Sequence, residues 1–232
     1  MRKLPKYALT VSLFLFGCAP LPPVPLDYTV SNDKSDVAFP KNLTVGVFQF
    51  EDLRGWSPRV AAREIRLVTA EIPVANDADA TSEKEVSVFV TEAISKELEV
   101  RRLSVSTGGD YAQVVTFEDF QDKLKNMPLS TDRVIFGRIK YLNWLGPGFA
   151  GLLFQGMMPN GKAYVDLDVV VVDPRTSVVK WAGQARSKID SGTSWGATPE
   201  EKGQQLTTAL RTALEKCFSR ADFTQAFDTT AK

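Results

Sequence analysis

The chain has 232 residues, and lysine plus arginine equal aspartate plus glutamate at 28 each, so no net field draws it to nucleic acid or acidic lipid. Histidine is absent and cysteine occurs twice, which removes the commonest general base, the commonest metal ligand and any disulfide framework. Hydrophobic residues make up 44% of the chain, enough for the core of one α/β domain.

Arg2, Lys3 and Lys6 form a basic start, and Tyr7 to Phe16 form an apolar run shorter than the roughly 20 residues of a spanning helix. That is the form of a cleavable signal peptide over residues 1–17. The stretch Leu15-Phe16-Gly17-Cys18 resembles the lipobox of bacterial lipoproteins. In that family the cysteine thiol takes a diacylglyceryl group, the leader is cut ahead of it, and the new amine is acylated, palmitate being the usual chain. The resemblance implies that Cys18 is the lipid attachment site and that the membrane is engaged through it. Stable attachment needs more than one acyl chain. Among such lipoproteins an Asp after the cysteine favours the inner membrane; Ala19 stands here, which implies the outer membrane, facing the periplasm. The alternative is an ordinary secreted protein in which Cys18 is incidental. Residues 18–40, with Pro20, Pro22, Pro23 and Pro25, read as an extended tether of about 3.1 Å per residue.

A single domain is expected over 41–224, with a flexible tail at 225–232. LTVGVFQF (43–50) is apolar on both faces, as in a strand inside a sheet. Residues 51–58 form a polar turn, and 59–80 hold an extended segment near Ile65 to Ile72 and a loop from Asn76 to Ala80. Ser82 and Glu85 have capping-box spacing and open a helix over 83–98. Leu103 to Ser106 and Gln113 to Thr116 are short strands, and Phe117, Phe120 and Leu124 mark a short helix ended before Pro128. Arg133 to Trp144 is a long strand. Ala163 to Asp173 and Val178 to Lys188 flank Pro174-Arg175-Thr176-Ser177 and predict an antiparallel hairpin. Thr198, Pro199 and Glu201 open a last helix whose apolar stripe includes Leu206, Leu210, Leu214 and Cys217. A thiol on that stripe is buried and inert. The expected fold is α/β (α+β), a mixed, largely antiparallel sheet with helices packed on it.

Three places invite a functional reading. Asp166 and Asp168 share one face of a strand about 7 Å apart, which a glycoside hydrolase could use. Alternation with Val165, Leu167, Val169 and Val171 explains them equally as the solvated side. Asp52 and Arg54 form either a turn ion pair or a partner contact. Between Gly146 and Gly161 there is no charge, and Phe149, Leu152, Leu153, Phe154, Met157 and Met158 sit among five glycines. That segment either covers the sheet or presents a surface to a partner or a membrane. No catalytic or metal-binding constellation is recognisable, and no cofactor is implied.

The order of elements is similar to that of the YajG-like lipoproteins, and more distantly to the periplasmic domains of curli-secretion lipoproteins and of lipoprotein activators of peptidoglycan synthases. The residues that carry this are Asp52-Leu53-Arg54, the run Asp132 to Ile139, and a hairpin with Asp173 in its turn and Val179-Lys180-Trp181 on its return strand. The similarity covers about 43–220 and departs from the family pattern at 59–80 and at 146–161. It implies a non-enzymatic envelope binding or assembly component with a protein partner, a homo-oligomer included. An alternative is a subunit of an envelope export or surface-structure secretion complex, and a third reading is a cell-wall hydrolase using Asp166 and Asp168.

Overall fold

The computed structural model describes residues 24–30, 39–40, 42–54, 60–65, 68–72, 74–76, 79–83, 85–145, 161–190 and 197–228. Strand β9 (Arg133–Leu145) organises the larger sheet. One edge of β9 pairs antiparallel with β10 (Lys162–Asp173) over its full length. Three short strands share its other edge in parallel: β2 (Thr44–Val47), β3 (Glu51–Asp52) and β4 (Val60–Ile65). β5 (Val68–Ile72) pairs antiparallel with β4, β8 (Ser104–Ser106) parallel with β2, and β11 (Val178–Asp190) antiparallel with β10. A smaller sheet holds β6 (Val74–Asn76) between β1 (Val24–Pro25) and β7 (Asp79–Glu83). The architecture is mixed α/β, with antiparallel pairing along its longest strands.

Two long helices, α1 (Val86–Val100) and α3 (Pro199–Phe218), cover one face of this sheet. Their apolar stripes meet Ile135, Ile139, Leu142 and Trp144 of β9 and the odd-numbered residues 163–171 of β10 in one core. α3 starts as its sequence requires. Thr198 Oγ1 accepts from the Glu201 amide at 3.2 Å, Glu201 Oε2 accepts from the Thr198 amide at 2.9 Å, and Pro199 takes the first turn. The short α4 (Ala221–Gln225) follows and seats Phe223 on Trp181 and Phe218. On the opposite face, α2 (Phe120–Asn126) and a 3-10 turn at Gly109–Tyr111 enclose a smaller core of Phe48, Tyr111, Val134, Phe136, Val170 and Val172.

A bulge corrects the register of β9. Its partner residues step from Tyr141, opposite Asp166, to Ile139, opposite Leu167, leaving Lys140 as the extra residue. An extra residue reverses which side chains face inward. Both Ile139 before it and Leu142 after it therefore reach the helix-covered core, and Lys140 lies on the other face beside the aspartates of β10.

The structure differs from the sequence expectations in four places. The tether was expected to run to residue 40, yet Val24, Leu26 and Tyr28 are buried in the main core and Phe39 packs on Phe223 and Phe227. The domain was expected to end at 224, yet Ala226 and Phe227 are buried and Arg133 donates to the carbonyls of Ala226 at 2.7 Å and Asp228 at 3.0 Å. Residues 79–83 are β7 rather than the end of a loop and a helix cap; α1 begins at Val86 with Glu85 as an N-cap that makes no side-chain cap bond. Ser82 lies within β7, which pairs with β6 at Asp79 and Glu83. Finally, Gln113 to Thr116 form no strand: Val114 makes an isolated bridge to Gln49.

Candidate functional site

The described site residues expected from the sequence form two groups, on either side of β9. Cys18 and the residues Phe149, Leu152, Leu153, Phe154, Met157 and Met158 lie outside the described residues. Asp52 and Arg54 face each other across the turn after β3. Arg54 Nε donates to Asp52 Oδ1 at 2.8 Å, Nη2 to Oδ2 at 2.7 Å, and the Arg54 amide to Oδ1 at 3.1 Å. The Arg54 side chain is buried, and its Nη1 reaches the Leu142 carbonyl at 3.5 Å. The pair therefore joins the turn to β9, which is a structural task.

Asp166 and Asp168 stand side by side on the sheet face away from α1 and α3, Asp166 held by Arg186 and Lys140 and Asp168 by Lys140 and Gln184. Lys140 Nζ is 2.7 Å from Asp168 Oδ1 and 3.8 Å from Asp166 Oδ1. Arg186 Nε donates to Asp166 Oδ2 at 2.9 Å, and Gln184 Nε2 to Asp168 Oδ1 at 3.1 Å. The hydrogen bond to Asp166 in turn raises the Arg186 guanidinium above its usual value. The row continues along β9, where Arg138 lies over the Phe117 ring at 4.1 Å and bonds Glu51 at 2.9 Å and Glu118 at 2.5 Å. The Arg138 bond holds Glu118 below the usual carboxylate range. A glycosidase pair needs one proton-bearing carboxyl and one carboxylate facing an open gap. Here the space between the two aspartates is occupied by Lys140. The arrangement is a ladder of compensated charges on an exposed face.

Cys217 is buried on α3, and burial pushes its thiol up to about 12, so it is a poor nucleophile at neutral pH. Among the described residues no group of three His, Cys, Asp or Glu side chains converges as a metal site, and no helix is long and apolar enough to cross a membrane.

The feature that sequence reasoning missed is a strap at residues 24–30. It runs along α3 and across α1. The Cβ of any residue replacing Gly203 would come to 2.0 Å from the Pro25 carbonyl oxygen, so α3 admits the strap only with glycine there. Tyr28 Oη donates to Glu97 Oε1 of α1 at 2.7 Å, and its ring packs edge-on to Phe89. Burial, with Glu97 adjacent, raises the Tyr28 phenol well above its ordinary value. Lys96 Nζ donates to the Tyr28 carbonyl at 3.3 Å and Arg211 Nη1 to the Thr29 carbonyl at 3.5 Å. The alternation of Val24, Leu26 and Tyr28 with Pro25 and Asp27 was the available signal, and the prolines around it obscured it.

No family model and no curated protein matches the sequence. Comparison of structures finds a likeness. Protein XCC0632 of Xanthomonas campestris, a DUF330 protein, aligns with a TM-score of 0.51 at 11% identity, over 86% of this chain and 92% of that one. The likeness is one of fold. The PelC dodecamer of Paraburkholderia phytofirmans aligns at 0.40 with 9% identity, over 78% of this chain and 92% of that one. Lipoprotein GNA1162 of Neisseria meningitidis aligns at 0.33 with 11% identity, over 66% and 86%.

Proposed function

We propose that this chain is a lipid-anchored, non-enzymatic binding or assembly component of the bacterial cell envelope, attached at Cys18 and facing the periplasm from the outer membrane. The observation that carries this reading is the placement of Gly17-Cys18 at the end of a short apolar leader. The compensated state of Asp166 and Asp168 supports a role without bond-breaking chemistry. The run Asp132 to Ile139 supports kinship with YajG-like lipoproteins. Incorporation of a fatty-acid analogue is the test: wild-type protein should take up label and Cys18→Ser should not. Equal labelling of the two would end the lipoprotein reading.

The partner contact we assign to the uncharged segment between Gly146 and Gly161, on its composition. The change Leu153→Glu with Phe154→Glu should leave the melting temperature unchanged and abolish association with the envelope partner in crosslinked cells. Strong thermal destabilisation would make the segment core cover instead.

A further inference from the structure

We infer that the domain meets the lipid surface with the pole that carries the start of α3. This rests on the lipidation proposed above. The strap is what turns an anchor into an orientation. Val24 is fully buried and Pro25 is pressed against Gly203 in the second turn of α3, so the strap at 24–30 is part of the folded body from its first residue. Six residue steps separate Cys18 from Val24. Fully extended they reach at most about 20–22 Å. The point where the strap enters the body can therefore stand no further than that from the acyl chains.

The entry point lies at one definite end of the molecule. The strap advances in the same direction as α3, from Pro25 at Gly203 to Thr29 at Arg211. At the entry end Trp144 Nε1 donates to Gln205 Oε1 at 2.5 Å, and Trp144 pairs with Ala163, which pairs with Ile189. The ends of β9 and β11 and the beginnings of β10 and α3 thus share this pole. From Ala163 to Asp173 the sheet continues for ten residues, about 33 Å, to the turn at 174–177. The far pole is held away by the length of the sheet itself.

Charge does not supply this orientation. Among the described residues the near pole exposes Asp190, Glu200 and Glu201 along with Lys188, with Lys162 half-buried, so they give no basic excess to seek anionic headgroups. The short leash does it, and the orientation should be insensitive to salt.

The test uses the full chain, acylated in cells and reconstituted into vesicles of phosphatidylethanolamine and phosphatidylglycerol with an acceptor dye on the headgroups. Glu200→Cys places a donor at the near pole and Thr176→Cys one at the far pole; Cys217 is buried and does not compete for label. Energy transfer from position 200 should exceed that from 176 severalfold, at low and high salt alike. A flexible Gly-Ser insertion of about 30 residues between Pro23 and Val24 should erase the difference. Equal or reversed transfer in the uninserted protein overturns the orientation, and a difference that survives the insertion overturns the leash as its cause. Fatty-acid uptake measured on the same samples keeps the two ideas apart, since unlabelled protein would defeat the lipidation and labelled protein without a transfer difference would defeat only the orientation.

Discussion

The two faces of the β9–β10–β11 sheet are made by the same strands and treated differently. On one face Ile135, Ile139, Leu142, Trp144 and the odd-numbered residues of β10 lie under α1 and α3, and the strap joins that core against both helices. On the other, cover among the described residues extends only as far as α2 and the 109–111 turn. There Val134, Phe136, Val170 and Val172 are buried; beyond them Arg138, Lys140, Asp166, Asp168 and Arg186 take the same positions and compensate one another. β10 records the change within its own sequence, alternating through Asp166 and Asp168 and becoming buried on both sides from Val169 to Val172. An acidic pair on a strand is thus read by what continues along its face. Here it is the place where the cover stops.

Substitutions on each side of that boundary should differ by severalfold in cost. Phe136→Ala, under the smaller core, should destabilise the domain by about 3–5 kcal/mol, measured by urea unfolding. Leu210→Ala and Leu26→Ala should each lose about 2–5 kcal/mol, because both leucines are buried on the helix-covered side. A loss below about 0.5 kcal/mol for Leu26→Ala, the size expected of a surface site, would return the strap to the status of a tether. Asp166→Asn and Asp168→Asn should each cost no more than about 1 kcal/mol, as partly exposed ion pairs do, with no turnover of peptidoglycan by either variant or the parent. Measurable turnover lost in those two variants would revive the hydrolase reading.

Acid should act at the edge of the larger core with a definite sign. The Arg220 side-chain bond holds Asp222 down at about 2, below the ordinary aspartate value near 3.9. The unfolded chain therefore binds this proton first. The contribution is complete above the ordinary value and is lost as pH falls through about 2. Asp222→Asn should flatten the part of the acid unfolding profile that lies between those two values, and an unchanged profile would remove this ion pair from the account.

Legibility followed locality. The hairpin of β10 and β11, the long β9 and the capped start of α3 rest on neighbours in sequence, and each stands within a residue or two of where it was expected. The failures rest on distant partners. Ser82 has the spacing of a helix cap, but it lies in β7, part of a small sheet whose far strand is β1 at Val24–Pro25. Pro22, Pro23 and Pro25 have the composition of a linker, but the groove beside Gly203 receives the segment that follows them. Lys140 gives no sign in sequence that it is the bulged residue, although that is what sets it between the two aspartates.

The strap also sets an order of events. The bond from Arg211 to the Thr29 carbonyl joins residues 182 apart, and Pro25 needs Gly203 as its seat. Closing a loop of that length costs about 4–5 kcal/mol in chain entropy, before the constant that belongs to any closure. The strap thus meets its seat on α3 only after residues 199–218 have been made, long after its contacts on α1 and β6 are available. A nascent chain that has not yet delivered residues 199–218 can set Tyr28 on Glu97 and Phe89 but lacks the Gly203 seat for Pro25.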